Sequence, residues 1–98
     1  MGVEEAASTL PSSYELEQNF PNPFNPATTI RYSISKASNV ELKVFDLLGR
    51  EVQNLVSTVQ PPGQYSVTFN ALDLASGVYF YRLTAGTFTE TKKLMLLK

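Results

Sequence analysis

The sequence predicts an all-β fold, an immunoglobulin-like antiparallel β-sandwich of about seven strands. From residue 28 onward, apolar side chains alternate with polar ones, which is the pattern of half-buried strands. Gly, Pro, Asn and Asp separate these segments at short and regular intervals, as turns require. No window shows the periodicity of an amphipathic helix. The strand count also leaves a small β-barrel open as an alternative.

The chain length sets the number of domains. Its 98 residues suit one domain, which we place at residues 14–98. Residues 1–13 are small, polar or acidic and include a proline, so we interpret them as a linker. The first residues lack the basic and apolar regions of a signal peptide, and we expect the natural protein to continue upstream.

The first elements are a short strand and a proline-rich loop. Residues 14–17 alternate briefly, which favours an edge strand. Residues 19–26 contain three prolines, which exclude a helix and remove backbone donors, so they form a shaped loop. We expect Phe20 and Phe24 to anchor this loop in the core, and its asparagines, including Asn22, to bond neighbouring backbone groups as Asx-turns.

The next three strands follow from the alternation. Residues 28–35 and 40–46 each have one apolar face, and residues 46–49 carry Asp first and Gly fourth, which indicates a type I turn. Residues 51–59 are rich in β-formers, but their alternation slips at residues 54–55, which predicts a bulge. The side chains predicted to face the core are Ile30, Tyr32, Ile34, Val40, Leu42 and Val44.

The last three strands are predicted at residues 64–70, 78–85 and 87–97, with a turn at 60–63. Their inward residues are Tyr65, Val67, Phe69, Tyr79, Tyr81 and Leu83. Tyr79 follows a Gly at a strand start, the position of the tyrosine corner of immunoglobulin-type sandwiches, so its hydroxyl should bond backbone upstream.

The composition argues against catalysis. The chain has no His, Cys or Trp, so it lacks the commonest general base and the usual zinc ligands. We predict no enzyme activity, no catalytic residue, no metal site and no cofactor. The net charge of −1 and the lack of a basic stripe predict no nucleic-acid partner.

The terminal segment, residues 92–98, has two interpretations. It is typical of a last strand whose lysines protect a sheet edge. It is also compatible with a recognition tail, an apolar β-prone run flanked by lysines that a partner reads. The physical pattern favours the strand.

Residues 19–34, 40–52, 61–83 and 91–98 together resemble the C-terminal sorting domain, type A, of the type IX (Por) secretion system. The resemblance covers residues 16–98. It implies a module that directs an upstream cargo protein of the same chain through the periplasm and an outer-membrane translocon. A surface sortase then acts on it, and the cargo is secreted or held at the cell surface.

The resemblance also implies which residues the secretion machinery recognises. Gly77 and Tyr79 match the Gly-x-Tyr motif of the family, although a Gly is also wanted there simply to enter a strand. Lys92 or Lys93, with Leu94, matches its lysine-rich motif. The family's terminal motif is matched by Leu96, Leu97 and Lys98.

Other functions remain open at this stage. The core is also similar to the immunoglobulin-like domain of the flagellar hook-capping scaffold, but the Trp-Asp-Gly-rich insertion of that family is missing. A non-catalytic module that binds polysaccharide or the cell surface would show a row of exposed aromatic side chains. A passive structural or assembly domain would form a weak homodimer through edge strands at either terminus.

Overall fold

The structure is a computed structural model that describes residues 10–98. These residues form seven strands and no helix, so no helix among them could span a membrane. The strands are β1 Glu15–Leu16, β2 Ala27–Ile34, β3 Ser38–Phe45, β4 Glu51–Gln60, β5 Gly63–Asn70, β6 Gly77–Ala85 and β7 Phe88–Leu96.

The strands form two antiparallel sheets. The first has the order β1-β2-β5 and the second the order β4-β3-β6-β7. The two sheets pack as a sandwich, which confirms the predicted immunoglobulin-like fold over the barrel. Residues 1–9 of the predicted linker lie outside the described residues, and residues 10–13 form no strand.

The core confirms the predicted alternation. Side chains that face inward from β2, β3 and β6 are almost completely buried: Ile30, Tyr32, Ile34, Val40, Leu42, Val44, Tyr79, Tyr81 and Leu83. On β5, Phe69 is buried, whereas Tyr65 and Val67 are only half-buried because β5 is the last strand of its sheet. One apolar layer therefore holds the sheets together.

The β3–β4 hairpin confirms both local predictions. The amide of Gly49 donates to the carbonyl of Asp46 at 3.0 Å and closes the turn. Further along, Leu42 pairs with Val56 and Lys43 pairs with Asn54, so Leu55 is the extra residue of a bulge.

The tyrosine corner is present. The hydroxyl of Tyr79 donates to the carbonyl of Ala75 at 2.6 Å. This bond ties the start of β6 to the connection that precedes it, as in other immunoglobulin-like sandwiches.

The proline-rich loop differs from the expectation at two residues. Phe24 is buried as predicted and packs against Phe69, with ring centroids 5.9 Å apart. Phe20 is 79% exposed, so its predicted core position is wrong. It bridges Thr29, whose side chain lies on the outer face of β2, and directly opposed residues share a face.

The asparagines of this loop also reach further than predicted. The side-chain oxygen of Asn22 accepts the amide of Met95 on β7 at 3.0 Å, a contact that no local Asx-turn provides. Asn19 is buried, and its side-chain amide donates to the hydroxyl of Thr28 at 3.0 Å. The loop is thus bonded to both sheets.

Candidate recognition surface

Several segments that resemble family motifs converge at one end of the sandwich. We call this end the C-terminal pole and define it by the β3–β4 turn at residues 46–49, the β5–β6 connection at residues 71–76, and residues 93–98. Strand pairing places them together, because Phe45 pairs with Phe80 and Gly77 pairs with Leu96. Residues far apart in sequence thus share one surface.

The terminal segment is a strand, not a free tail. Leu94 and Leu96 are completely buried in the core, whereas Lys93, which precedes Leu94, is exposed. The prediction of a last strand is therefore confirmed. The alternative of a free recognition tail over residues 92–98 is wrong for residues 92–96, because they belong to β7 and its alternation places Leu94 and Leu96 in the sandwich.

The outer edge of β7 is closed by the proline-rich loop. The backbone of Phe24 donates its N–H to Met95 at 3.0 Å and accepts the N–H of Leu97 at 3.0 Å. The side chain of Gln18 donates to the carbonyl of Lys93 at 2.7 Å. Together with the bond from Met95 to Asn22, these bonds occupy the outer edge of β7 over residues 93–97, so another strand cannot pair there.

The last residue folds back onto the β5–β6 connection. The amide of Lys98 donates to the hydroxyl of Ser76 at 2.9 Å, and its ammonium donates to the carbonyl of Leu72 at 2.6 Å. Leu97 next to it is 53% exposed. The end of the chain is therefore a fixed part of the C-terminal pole.

The other residues that the resemblance singled out have mainly structural surroundings. Tyr79 is 8% exposed, and its hydroxyl donates a hydrogen bond to the carbonyl of Ala75. Gly77 has a φ of 152°, and no atom lies within 4 Å of where a Cβ would be. Its backbone conformation, and not a lack of space, requires glycine. Lys92 is half-buried, with its ammonium 3.4 Å from the carboxylate of Glu90.

Sequence reasoning missed two exposed leucines in the β3–β4 turn. Leu47 is 68% exposed and Leu48 is 78% exposed. The carboxylate of Asp46 accepts the amides of Leu48 and Arg50, so the turn presents these side chains in a fixed position. A tight turn cannot bury two adjacent side chains. The turn predicted at residues 46–49 therefore already implied that these leucines are exposed.

A groove of about 210 Å³ separates this turn from the start of β6. It is lined by Leu47 and Leu48 on one wall and by Ser76, Gly77 and Val78 on the other. The groove links the turn to the corner that Tyr79 holds, so the pole is one continuous, partly apolar surface.

The described residues offer no arrangement suited to metal binding or to sugar stacking. Residues 10–98 contain no group of His, Cys, Asp and Glu side chains that could hold a metal ion. Phe20 is the one aromatic side chain in that range that is mostly exposed, so the row of aromatics that a polysaccharide-binding module needs is not formed there.

Comparison with known proteins agrees with these features. A family model described as the secretion system C-terminal sorting domain matches residues 18–97. The match spans the proline-rich loop, the β3–β4 turn, the tyrosine corner and β7. Comparison with curated proteins and with solved structures gave no significant match.

Proposed function

The chain belongs to the family of secretion system C-terminal sorting domains, and from this membership we propose that the secretion machinery reads the exposed side chains of the C-terminal pole. The domain is a C-terminal sorting signal for type IX secretion and forms the tail of a cargo protein. Such a signal leads to export to the cell surface or to secretion. This family is not catalytic, and we assign the chain no reaction.

The proposal extends to the route and the partners. The cargo crosses the periplasm, an outer-membrane translocon binds the pole of the folded domain, and a surface sortase then separates the domain from its cargo. The support for a folded signal is the way the terminal motif is built into the sandwich, with Leu94 and Leu96 in the core.

Contact and positioning fall to different residues. Lys93, Leu97 and Lys98 are exposed, and we assign them to direct contact with the machinery. Exposed charges add little to folding stability, so the fold does not depend on the charge of Lys93. The ammonium of Lys98 is held at the surface by the carbonyl of Leu72. Tyr79, Leu94 and Leu96 are buried, so they act by holding the surface in shape.

Gly77 and Lys92 belong with the positioning residues. Gly77 allows β6 to begin with a backbone conformation that other residues rarely adopt. Lys92 faces Glu90 on its own strand, at the rim of the sandwich. The exposed leucines of the β3–β4 turn, Leu47 and Leu48, add apolar area to the same contact surface.

Removal of the terminal residues is a poor test of this proposal. Deletion of residues 93–98 takes two fully buried leucines out of the core along with the exposed side chains. Loss of each such side chain typically destabilises a domain by about 2–5 kcal/mol. Failed export would then reflect unfolding as much as lost recognition.

A sharper experiment changes exposed residues alone. The whole chain is fused to a periplasmic reporter in a host with type IX secretion, and export is measured for Lys93→Glu combined with Leu97→Ser. The matched control is Lys36→Glu combined with Val59→Ser, which changes one lysine and one aliphatic residue at exposed positions away from the pole. Thermal melting of both purified variants verifies their folding.

We expect the pole variant to fold and to lose most of its export, and the control to be exported like the unchanged fusion. Equal export of the pole variant and the control would contradict recognition through this surface. A reporter that is exported without any fused domain would contradict the use of this domain as the signal in that host, which separates the two failures.

A further inference from the structure

The two long sides of the sandwich differ in whether their strand edges are paired. On one side, the proline-rich loop bridges the sheets, with Phe20 paired to Thr29 of β2 and Phe24 paired to Leu96 of β7. On the other side, β4 and β5 are the last strands of their sheets. Within residues 10–98, no segment pairs with the outer edge of either strand.

The backbone of β5 presents a regular set of outward hydrogen-bonding groups. The amide of Ala71 donates to Pro26, and the register continues with Phe69 opposite Thr28. In an antiparallel pair, alternate residues direct N–H and C=O to the same side. The residues that direct these groups outward are Gln64, Ser66, Thr68 and Asn70, and their side chains are exposed.

This edge lacks the usual protection. Soluble proteins guard exposed strands with charges, prolines or bulges. No Asp, Glu, Lys or Arg lies between Glu51 and Asp73, a run that covers nearly all of β4 and the whole of β5. The register of β4 with β3 is broken by irregularities, whereas that of β5 with β2 is continuous. β5 is therefore the better template for another strand.

The core beneath this edge is also incompletely covered. Tyr65 and Val67 point into the sandwich from β5 but remain half-buried, whereas their partners Tyr32 and Ile30 on β2 are fully buried. A strand added beyond β5 would place further side chains over Tyr65 and Val67 and would bury apolar surface that is now exposed to solvent.

We infer that β5 is a self-association edge, at which two copies of this chain pair antiparallel about a two-fold axis at Val67. Ser66 then lies opposite Thr68 of the partner subunit, and Gln64 lies opposite Asn70 of the partner subunit. All these residues direct their backbone groups outward, so each pair exchanges both backbone hydrogen bonds.

A second copy fits this edge for a specific reason. Pairing of one strand with itself repeats every side chain across the two-fold axis, so an edge whose charges had one sign would bring like charges together. The outward side chains of β5 are uncharged and hydrogen-bonding, and Ser–Thr pairs across strands are favourable. The contact is one strand wide, which predicts a weak and concentration-dependent dimer. The inference does not depend on the sorting function.

Sedimentation velocity on the whole chain, from micromolar to millimolar concentration, tests this pairing. We expect the sedimentation coefficient to rise with concentration. Ser66→Lys combined with Thr68→Lys sets like charges opposite each other and should hold the chain monomeric. Ser66→Lys combined with Thr68→Glu sets opposite charges across the same pairs and should restore the dimer. Ser57→Lys combined with Val59→Lys, on β4, should leave it unchanged.

Cross-linking checks the register without relying on charge. The chain has no cysteine, so a mixture of Ser66→Cys and Thr68→Cys proteins can form a disulfide only between the introduced thiols. We expect the disulfide between Ser66→Cys and Thr68→Cys proteins to form faster than a disulfide in the control mixture, which combines Ser57→Cys and Val59→Cys proteins with thiols on β4. A chain that stays monomeric throughout, or a dimer abolished by the β4 variant and not by the β5 variant, would overturn the inference.

Discussion

The hydroxyl of Tyr81 on β6 lies 2.7 Å from the carbonyl oxygen of Glu17, just beyond β1, and donates to it. The hydroxyl oxygen of Tyr81 also accepts a hydrogen bond from the backbone amide of Asn19 at 2.8 Å. One buried phenol therefore ties the central strand of the larger sheet to the segment that leads into the proline-rich loop. That loop in turn closes the edge of β7, so Tyr81 supports the C-terminal pole indirectly.

Replacement of Tyr81 by Phe should destabilise the domain. The ring would stay in place, but the amide of Asn19 and the carbonyl of Glu17 would lose their partner in a water-poor site. We expect the free energy of unfolding in urea to fall by about 1–3 kcal/mol. Tyr79→Phe is the comparison, since it removes one bond at a less buried site and should cost about 0.5–1.5 kcal/mol. Equal losses would contradict this ranking.

The stability of the domain should also depend on pH through the ionisation of the Tyr81 phenol. Burial raises the pKa of its phenol to about 12, above the ordinary 10.0. Between these two pH values the unfolded chain releases the phenol proton, whereas the folded chain keeps it. The contribution of this phenol to the free energy of unfolding is therefore complete below pH 10.0 and is lost as the pH rises towards about 12.

The measurement compares urea unfolding of the unchanged chain and Tyr81→Phe at about pH 8 and about pH 11. The difference between their unfolding free energies should shrink at the higher pH, since only the unchanged chain carries this phenol. Burial also raises the pKa of Tyr32, but that residue is common to both proteins and cancels. A difference that stays constant with pH would contradict the assignment.

The two phenylalanines of the proline-rich loop should behave in opposite ways. Phe24→Ala leaves a cavity next to Phe69 and should cost about 3–5 kcal/mol of stability. Phe20→Ala removes a side chain that is 79% exposed and should change stability by no more than about 0.5 kcal/mol. Thermal or urea unfolding distinguishes them, and a large loss for Phe20→Ala would restore the core position that the sequence had suggested.

These residues show where sequence reasoning succeeds. Within a strand, successive side chains alternate between the faces, so the burial of Ile30, Leu42 or Leu83 follows from their spacing alone. The turn at Asp46 and the corner at Tyr79 are local as well, because each depends on residues within four positions.

The failures are non-local. The side of the sheet on which Phe20 lies depends on its pairing with Thr29, and the closure of β7 depends on Asn22, which meets Met95 from the other end of the chain. No local spacing encodes either contact. The terminal segment was predictable as a strand, whereas the bonds that hold Lys98 to Ser76 and Leu72 were not.

Asp46 predicts a second pH effect, at the acid end. The amide of Arg50 donates to its carboxylate, which lowers its pKa below the ordinary 3.8, and the guanidinium of Arg50 acts in the same direction at 2.9 Å. Stability from this carboxylate is therefore present above pH 3.8 and is lost as the pH falls through the lower, folded pKa.

Asp46→Asn tests this effect, because asparagine keeps an acceptor oxygen but does not ionise. We expect the unchanged chain to be more stable than the variant at neutral pH and the gap to narrow in acid. Urea midpoints at about pH 7 and about pH 3 measure it. A gap that does not depend on pH would show that the turn relies on hydrogen bonds without the charge.

Gly77 distinguishes a structural from a recognition role for the Gly-x-Tyr motif. Its φ of 152° should be unfavourable for alanine, so Gly77→Ala should cost about 1–3 kcal/mol. Gly63→Ala is the control, because Gly63 has no positive φ and the nearest atom to a Cβ there lies 3.7 Å away. That change should leave stability equal or raise it by up to about 1 kcal/mol.

The export assay can compare Gly77→Ala with a variant that is destabilised elsewhere. If Gly77 only shapes the pole, Gly77→Ala should reduce export of the reporter fusion no more than a core variant of equal instability, such as Val44→Ala. Lower temperature, which returns a destabilised variant to the folded state, should then restore export of both. Export that stays low for Gly77→Ala while Val44→Ala recovers would mean that the machinery contacts the backbone at Gly77 itself.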